Sequence, residues 1–360
     1  MTPDFWSGRR VLLTGHTGFK GTWASVILAG LGAKVTAFSL APQTNPSLWQ
    51  MIEGRVDVVN RVADLRDPAS VIAICDAAEP EIVLHMAAQA QVLESYRDPV
   101  GTFNSNVLGT VNLLEALRSS RQLRAILAIT SDKVYVNLET GLAFTEAAPL
   151  GGADPYSASK GATEIAVKSY AESFFSPLEV PLATARGGNV IGGGDFSSDR
   201  LVPDLYRAAR AGVPVELRYP AATRPWQHVL DCLAGYFSYV EYLAGRGVAD
   251  PPALNFGPLE KEQMAVAEVA EAIGEKLGNR LPWRQAAGPF PSEKQALRLD
   301  CSLAAATLAW RPRLDAAETI AWTAQWYADF ASGKDALELM QSDINRYCSR
   351  SAMGADNSSP

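Results

Sequence analysis

Cysteine is scarce in this chain of 360 residues: four, at Cys75, Cys232, Cys301 and Cys348, with no CxxC spacing among them. A zinc cage or a disulfide framework is therefore not expected, and the thiols read as reduced. Basic charge is also short, since 32 Lys and Arg stand against 39 Asp and Glu for a net charge of -7. A surface that reads nucleic-acid phosphates needs the opposite excess, so no nucleic-acid partner is expected. A few clustered arginines still suffice for a small phosphorylated ligand. No apolar stretch reaches membrane-spanning length, and Met1 to Arg10 carries no apolar signal core. No membrane partner is expected, and the reading is cytoplasmic. Internal repeats are missing too. What remains, 48% hydrophobic and 20% charged, is an ordinary soluble composition. It is long enough for one large domain or two intimately connected ones.

Strand-like and helix-like segments alternate from the start. Arg10 to Thr14 reads as a buried strand, Gly18 to Leu31 as a helix closed by Gly32, and Lys34 to Leu40 as the next strand. A helix over Pro68 to Ala78, a strand over Glu81 to His85, a helix from Asn106 to about Ser119 and a strand over Ala125 to Thr130 continue the rhythm. Such alternation means an α/β fold with a doubly wound, parallel Rossmann-type sheet covered on both faces. The second half is less regular. After a strand over Pro181 to Arg186, the run Gly187 to Gly194 is too glycine-rich for a regular element. Short segments and Pro-containing loops follow up to Pro312, fitting a smaller, discontinuous C-terminal substrate-binding lobe. Terminal helices are expected over Ala317 to Phe330 and Ala336 to Tyr347. The expected division is a dinucleotide-binding domain over 1–186 with a return segment near 226–257, a substrate lobe with terminal helices over 187–225 and 258–348, and a disordered tail over 349–360.

Gly15-His16-Thr17-Gly18-Phe19-Lys20-Gly21 follows the first strand and opens the first helix. Glycines three apart let the backbone turn tightly and approach a pyrophosphate at the positive helix N-terminus. A tight turn alone explains the glycines equally well; the strand before and the helix after favour the ligand. Asp64-Leu65 ends the third strand region, where the carboxylate either accepts from an adenine or caps the helix at Pro68. One acid is missing. The second strand ends in Phe38-Ser39-Leu40, without the carboxylate that usually holds the ribose hydroxyls, and without an arginine for a 2′-phosphate. The lack of that arginine favours NAD over NADP.

Two chemically active constellations stand between Thr130 and Lys160. Ser131-Asp132-Lys133 follows the apolar run Ala125 to Ile129, and Tyr156 precedes Lys160 by one helical turn. Residues at i and i+4 share a helix face, so phenol and ammonium point into one cleft. A nearby cation favours the phenolate, which makes the tyrosine a usable base near neutral pH. That pair indicates oxidation of an alcohol; an acid and a lysine at the strand end indicate a further step. His85 and His228 have no cysteine or carboxylate at metal spacing and read as structural.

On these segments, together with His85-Met86-Ala87-Ala88-Gln89, Ser95-Tyr96-Arg97-Asp98-Pro99, Gly188-Asn189-Val190-Ile191-Gly192 and Ala222-Thr223-Arg224-Pro225-Trp226-Gln227-His228, the chain resembles the extended short-chain dehydrogenase/reductases. Within them it is similar to the CDP-glucose 4,6-dehydratases over nearly its whole length. The resemblance implies dehydration of a CDP-hexose to a 4-keto-6-deoxy sugar by C4 oxidation, C5/C6 elimination and hydride return to C6, with NAD held tightly throughout. It implies Tyr156 as base at the C4 hydroxyl, Ser131 as its hydrogen-bonding partner and Asp132 as the acid at the C6 hydroxyl. Lys133 serves the C5 step, as neutral base or as a cation against the enolate. Lys160 binds the nicotinamide ribose. The cofactor contacts implied are Gly15, Thr17, Gly18, Phe19, Lys20, Gly21, Asp64, Leu65, Ala87, Ala88, Gln89, Asn106, Thr130, Tyr156 and Lys160. For the substrate they are Gln89, Asn189, Arg200 and Arg224, the arginines on the pyrophosphate. A homodimer is implied, bundled through the helix Val107 to Leu117 and the outer face of the Tyr156 helix; an ordinary buried face explains that pattern as well. Asn106 supports the site, caps a helix, or does both. Lys133 paired at the surface with Asp132 is its plainer reading. Two other functions fit the same scaffold: a nucleotide-sugar 4-epimerase or 4-dehydrogenase, which needs Tyr and Lys but no acid, and a non-catalytic NAD sensor.

Overall fold

The computed structural model describes residues 1–258, 264–279, 282–288, 290 and 297–350. Its centre is a sheet of seven strands, β1 (Arg10–Thr14), β2 (Lys34–Ser39), β3 (Val58–Val62), β4 (Ile82–His85), β5 (Ala125–Ile129), β6 (Leu182–Gly187) and β7 (Ala253–Phe256). They lie in the order β7-β6-β5-β4-β1-β2-β3, and every neighbouring pair is parallel. The order reverses between β1 and β4. In a doubly wound sheet that is the switch point, where a crevice opens beyond the carboxyl ends of the strands.

Side-chain alternation explains why the strands are apolar throughout. Val11 and Leu13 of β1 and Ala125, Leu127 and Ile129 of β5 join the core on one face. Leu12, Ile126 and Ala128 join a separate core on the other. A parallel strand covered on both faces has no polar side to present to water. The helices begin where the sequence changes character, often at Asp-Pro pairs. Asp67, Asp98 and Asp154 each accept a backbone N–H of the first turn, and Pro68, Pro99 and Pro155 follow at the first helical position. That proline has no N–H to leave unsatisfied, and its fixed φ suits the helix.

Three sequence expectations change. The helix leading to Leu117 starts at Pro99 rather than Asn106, and passes through a π-helical turn at Asn104–Leu108. The glycine-rich run contains a short strand, Asn189–Ile191, paired in parallel with Trp226–His228. The region up to Pro312 is not merely short segments. It holds the helices Leu201–Ala211, Val229–Ala244 and Val266–Lys276. The middle one is apolar almost all round and packs on β5 and on the helix Phe19–Gly30, so it lacks the polar stripe that marks a surface helix. The helices Pro68–Ala78, Ala316–Ala331 and Ala336–Cys348 match expectation to within a residue. Residues 351–360 of the expected tail lie outside the described residues.

The two terminal helices return to the dinucleotide side. Ala336–Cys348 packs on Leu48–Ile52 and on Phe19–Gly30. Ala316–Ala331 presses Trp326 against the loop after Asn189–Ile191, and the indole of Trp23 donates to the Gly193 carbonyl at 2.9 Å. A Cβ on Gly193 would stand 2.0 Å from the Trp326 ring, which is itself buried. Gly193→Ala is expected to lower the unfolding free energy by about 1–3 kcal/mol through overpacking. Gly30→Ala, whose Cβ meets nothing within 4 Å, is expected to be neutral or slightly stabilising. Urea unfolding of both variants checks the contrast.

Candidate active site

The catalytic candidates are delivered by two elements meeting at the carboxyl edge of the sheet. Directly after β5, Ser131 caps a single 3-10 turn over Asp132–Val134, its hydroxyl accepting from the Lys133 N–H at 3.2 Å. The same hydroxyl donates to Asp132 Oδ1 at 3.0 Å. Opposite lies the helix Pro155–Tyr170, whose second residue is Tyr156. Asp154 accepts the Ser157 N–H at 3.0 Å and fixes how this helix starts. The phenol thus sits at a helix N-terminus, where the dipole favours its ionised form. Ser131 stands close enough to draw the Tyr156 phenol downward.

Ser131, Asp132, Lys133 and Tyr156 line a pocket of about 510 Å3 with Asn189, Arg200 and Arg224. That size suits a small organic ligand. The cleft also draws on residues that sequence reading did not single out: Gln91, Leu217, Arg218, Tyr219 and Phe290. They come from segments far apart in the chain. The arginine density of 200, 218 and 224 is the one cue the sequence held. Lys133 is half-buried on the pocket wall, close enough for its charge to act on Asp132.

Asp132 is the outlier. It is 3% exposed, and its Oδ2 has no hydrogen-bond partner. Burial pushes its carboxyl above the ordinary aspartate range, against the pull of Lys133, Ser131, Arg224 and Lys20. A carboxyl that loses water without gaining a full set of donors holds its proton to higher pH than an exposed one. The phenol of Tyr156 is likewise raised by burial, and Ser131 and Arg200 draw it down. Lys160 behaves differently from expectation. Its ammonium does not turn to the phenol but donates to the Ile129 carbonyl at 3.2 Å, beneath the end of β5. The shared helix face holds, yet the long side chain follows the strand. Burial, with the charge of Lys20, lowers Lys160 to about 7, while Glu164 opposes.

The dinucleotide motif folds as its glycines require. Gly15 adopts φ +79, and a Cβ there would stand 2.7 Å from the Ala87 backbone. A Cβ on Gly21 would come 2.1 Å from the Gly15 carbonyl oxygen, so helix and loop touch backbone to backbone. Gly18 caps the helix Phe19–Gly30. Thr14 Oγ1 receives the N–H groups of Met86 and Ala87, at 3.1 and 3.0 Å, tying β1 to the Ala87-Ala88-Gln89 segment. At the end of β2, Thr17 shares a hydrogen bond with Ser39 at 2.8 Å. Hydroxyls therefore stand where an acid was missed. Phe19 reaches toward Gly192, and Lys20 points inward, with its ammonium 5.8 Å from the Tyr236 ring and lowered by burial.

Other placements correct the sequence reading. Asp64 does not cap the helix at Pro68; Asp67 does, and Asp64 grips Arg66 in an ion pair of 2.6 Å that lowers the Asp64 carboxyl. Leu65 is buried under the helix Gly109–Leu117, its carbonyl accepting from Asn112 at 2.9 Å. Asn106 is no cap either: its amide accepts from Gln89 N at 2.8 Å and donates to the Gln89 carbonyl and to Ser159 Oγ. It joins the Ala87–Gln89 segment to the Tyr156 helix from inside a π turn, a distortion frequent at functional sites. The Gln89 side chain donates to the Gln91 carbonyl and to Thr102 Oγ1, each at 2.9 Å. Thr130 is buried against Glu164. His85 sits between Thr14 and Thr110, and His228 caps the helix Val229–Ala244; burial lowers both to about 3. Both are structural.

Residues 11–247 match the family described as NAD dependent epimerase/dehydratase. The chain is similar to CDP-glucose 4,6-dehydratase of Salmonella typhimurium, with 38% identity over 96% of this chain and 98% of that protein. It is 27% identical to a dTDP-glucose 4,6-dehydratase of Xanthomonas campestris, over 88% of this chain and 92% of the relative. A solved structure of Thermus thermophilus UDP-glucose 4-epimerase in complex with NAD superposes with a TM-score of 0.76 at 27% identity. That likeness covers 88% of this chain and 98% of the epimerase.

Lys160 titrates at about 7 in the folded chain against an ordinary 10.5. Its folded pKa lies below its unfolded one, so the unfolded chain binds more protons across that window and this contribution to stability rises with pH. For the cofactor-free protein, urea unfolding should show a smaller gain from pH 7 to about 9 in Lys160→Met than in the parent chain. Equal gains would mean that Lys160 stays charged when folded.

Proposed function

The chain belongs to the NAD dependent epimerase/dehydratase family, and from that premise we propose that it converts CDP-D-glucose to CDP-4-keto-6-deoxy-D-glucose and water. It is a hydro-lyase acting on a nucleotide sugar, with NAD as cofactor. The observation that carries the reading is the buried, partly unpartnered carboxyl of Asp132 on the wall that also bears Tyr156, where burial raises its proton affinity. Epimerisation at C4 needs no acid for a leaving hydroxyl, and a sensor needs neither Tyr156 nor Lys160.

The residues present fit the dinucleotide, because the cradle at Gly15 and Gly21 is one that a Cβ would fill. Gly15, Thr17, Gly18, Phe19, Lys20 and Gly21 would hold its pyrophosphate side. Asp64 and Leu65 would meet the adenine, and Ala87, Ala88, Gln89, Asn106 and Thr130 would flank the ribose and nicotinamide with Lys160. When bound, NAD supplies reversible hydride transfer and is regenerated within each turnover. Tyr156 takes the proton of the C4 hydroxyl, with Ser131 bonded to that oxygen. The resulting ketone acidifies the C5 proton, and Lys133 serves its removal. Asp132 gives its proton from Oδ2 to the departing C6 hydroxyl. General acids of this kind contribute about 10²–10⁴-fold. Asn189, Arg200 and Arg224 would bind the diphosphate, the guanidinium groups as forked donors.

The division into a dinucleotide domain over 1–186 and a substrate lobe over 187–225 and 258–348 follows from this assignment. A homodimer is supported by the solvent exposure of Val100, Phe103, Leu108 and Ile165 on two adjoining helices. No helix among the described residues is long and apolar enough to cross a membrane.

Incubation with CDP-, dTDP-, GDP- and UDP-hexoses, read by product mass, tests the reaction. A 4-keto product lighter by one water, formed best from the CDP-sugar, is expected; a product of unchanged mass would make the protein an epimerase. Asp132→Asn should slow dehydration about 10²–10⁴-fold. Lys133→Ala should suppress exchange of the C5 proton with solvent deuterium, and a wild-type exchange rate would remove Lys133 from that step. Light scattering of Phe103→Glu with Leu108→Glu should show monomers.

A further inference from the structure

Directly under the catalytic turn lies a charged pair that no step above uses. Glu164 and Arg186 are 4% and 5% exposed, and they meet in a fork: Arg186 Nε to Glu164 Oε1 at 3.0 Å and Nη2 to Oε2 at 2.7 Å. Glu164 belongs to the Tyr156 helix, one turn beyond Lys160, and Arg186 to β6. Their remaining partners tie the pair to the segment that carries Ser131 and to β6. Glu164 accepts from the hydroxyl of Thr130, the residue before Ser131, and from Thr184 Oγ1 at 2.8 Å. Arg186 Nη1 donates to Tyr135 Oη at 2.9 Å and to the Glu146 carbonyl at 3.0 Å. The Tyr135 hydroxyl in turn donates a hydrogen bond to Asn255 Oδ1 on β7 at 2.7 Å.

The two ends of the segment Ser131-Asp132-Lys133 are therefore tied to the two halves of one ion pair. Thr130 at its start rests on the carboxylate and Tyr135 just past its end rests on the guanidinium. The fork is rigid and planar, so the spacing of those two ends is set by it. Its second arm runs through the helix that carries Tyr156. Buried pairs of this type add little net stability compared with an apolar filling, and they are retained where they specify an arrangement. A desolvated pair across β5, β6 and the Tyr156 helix is placed for that.

We propose that Glu164 and Arg186 are positioning residues that clamp the 131–133 turn against Tyr156, so that Asp132 and the phenol address the same bound hexose. Glu164 has a second influence, since its charge one turn away favours the protonated form of Lys160. The proposal rests on the dehydratase reading only for its catalytic consequence; the clamping itself is independent of the substrate.

The test compares Glu164→Gln, Thr130→Val and Tyr135→Phe in the full chain loaded with NAD. The last two remove one hydroxyl each and keep the ion pair, so they carry the test if Glu164→Gln fails to fold. Amide hydrogen exchange should rise about five- to ten-fold across 130–136, the equivalent of one lost hydrogen bond, while β4 stays unchanged. On CDP-glucose, kcat should fall about ten-fold or more with KM unmoved, as expected when reacting groups are misplaced rather than binding lost. Unchanged exchange, or a rise shared equally by β4, overturns the clamp. So does local loosening that leaves kcat intact. If the parent protein does not turn over CDP-glucose, the functional reading fails, and the exchange data alone then decide the clamp.

Discussion

A carboxyl group deprived of water without being given enough donors governs this molecule. Ionising Asp132 requires either solvent or a full set of hydrogen bonds, and the structure offers one hydroxyl to Oδ1 and nothing to Oδ2. Three cations nearby oppose burial, yet the net effect still raises the carboxyl above the ordinary aspartate range. The neighbouring phenol is raised by the same burial. A carboxyl and a phenol, each made a weaker acid by burial, thus share one wall. Environments that separate the proton affinities of adjacent groups are how one site performs acid and base chemistry together.

The rest of the architecture can be read as what holds that wall in place. Parallel strands apolar on both faces end abruptly at Thr14, His85 and Ile129, which gathers the loops beyond them at the switch point of the sheet. Asp154 and Pro155 fix the start of the helix that presents Tyr156. Asn106 couples that helix to the Ala87–Gln89 segment, and the Glu164–Arg186 fork couples it to β6. The Glu164–Arg186 fork is buried with hydrogen bonds to both halves, the condition under which such networks add order rather than strain.

Much of this was legible in the sequence, and for identifiable reasons. Strands buried on both faces read as unbroken apolar runs, and Asp-Pro pairs mark helix starts with a physical cause. Ser131-Asp132-Lys133, and Tyr156 with Lys160, are close enough in sequence for spacing alone to place them. The misses share a cause as well. The helix Val229–Ala244 has no polar stripe because it is covered on nearly all sides, so periodicity could not reveal it. The direction of Lys160 depends on a carbonyl of β5, which helical spacing cannot report. Gln91, Arg218 and Phe290 meet only when separate loops converge, and Glu164 pairs with a residue on another element. Tertiary contacts of that kind leave no local pattern.

The account stands most directly on the protonation state of Asp132. Infrared difference spectra between the parent chain and Asp132→Asn, recorded across a pH series, isolate the stretch of this one carboxyl. A protonated-acid band persisting at pH values where an exposed aspartate is fully ionised is the predicted result. A carboxylate band alone over that range would contradict the account, because no proton would then be at hand for the leaving hydroxyl.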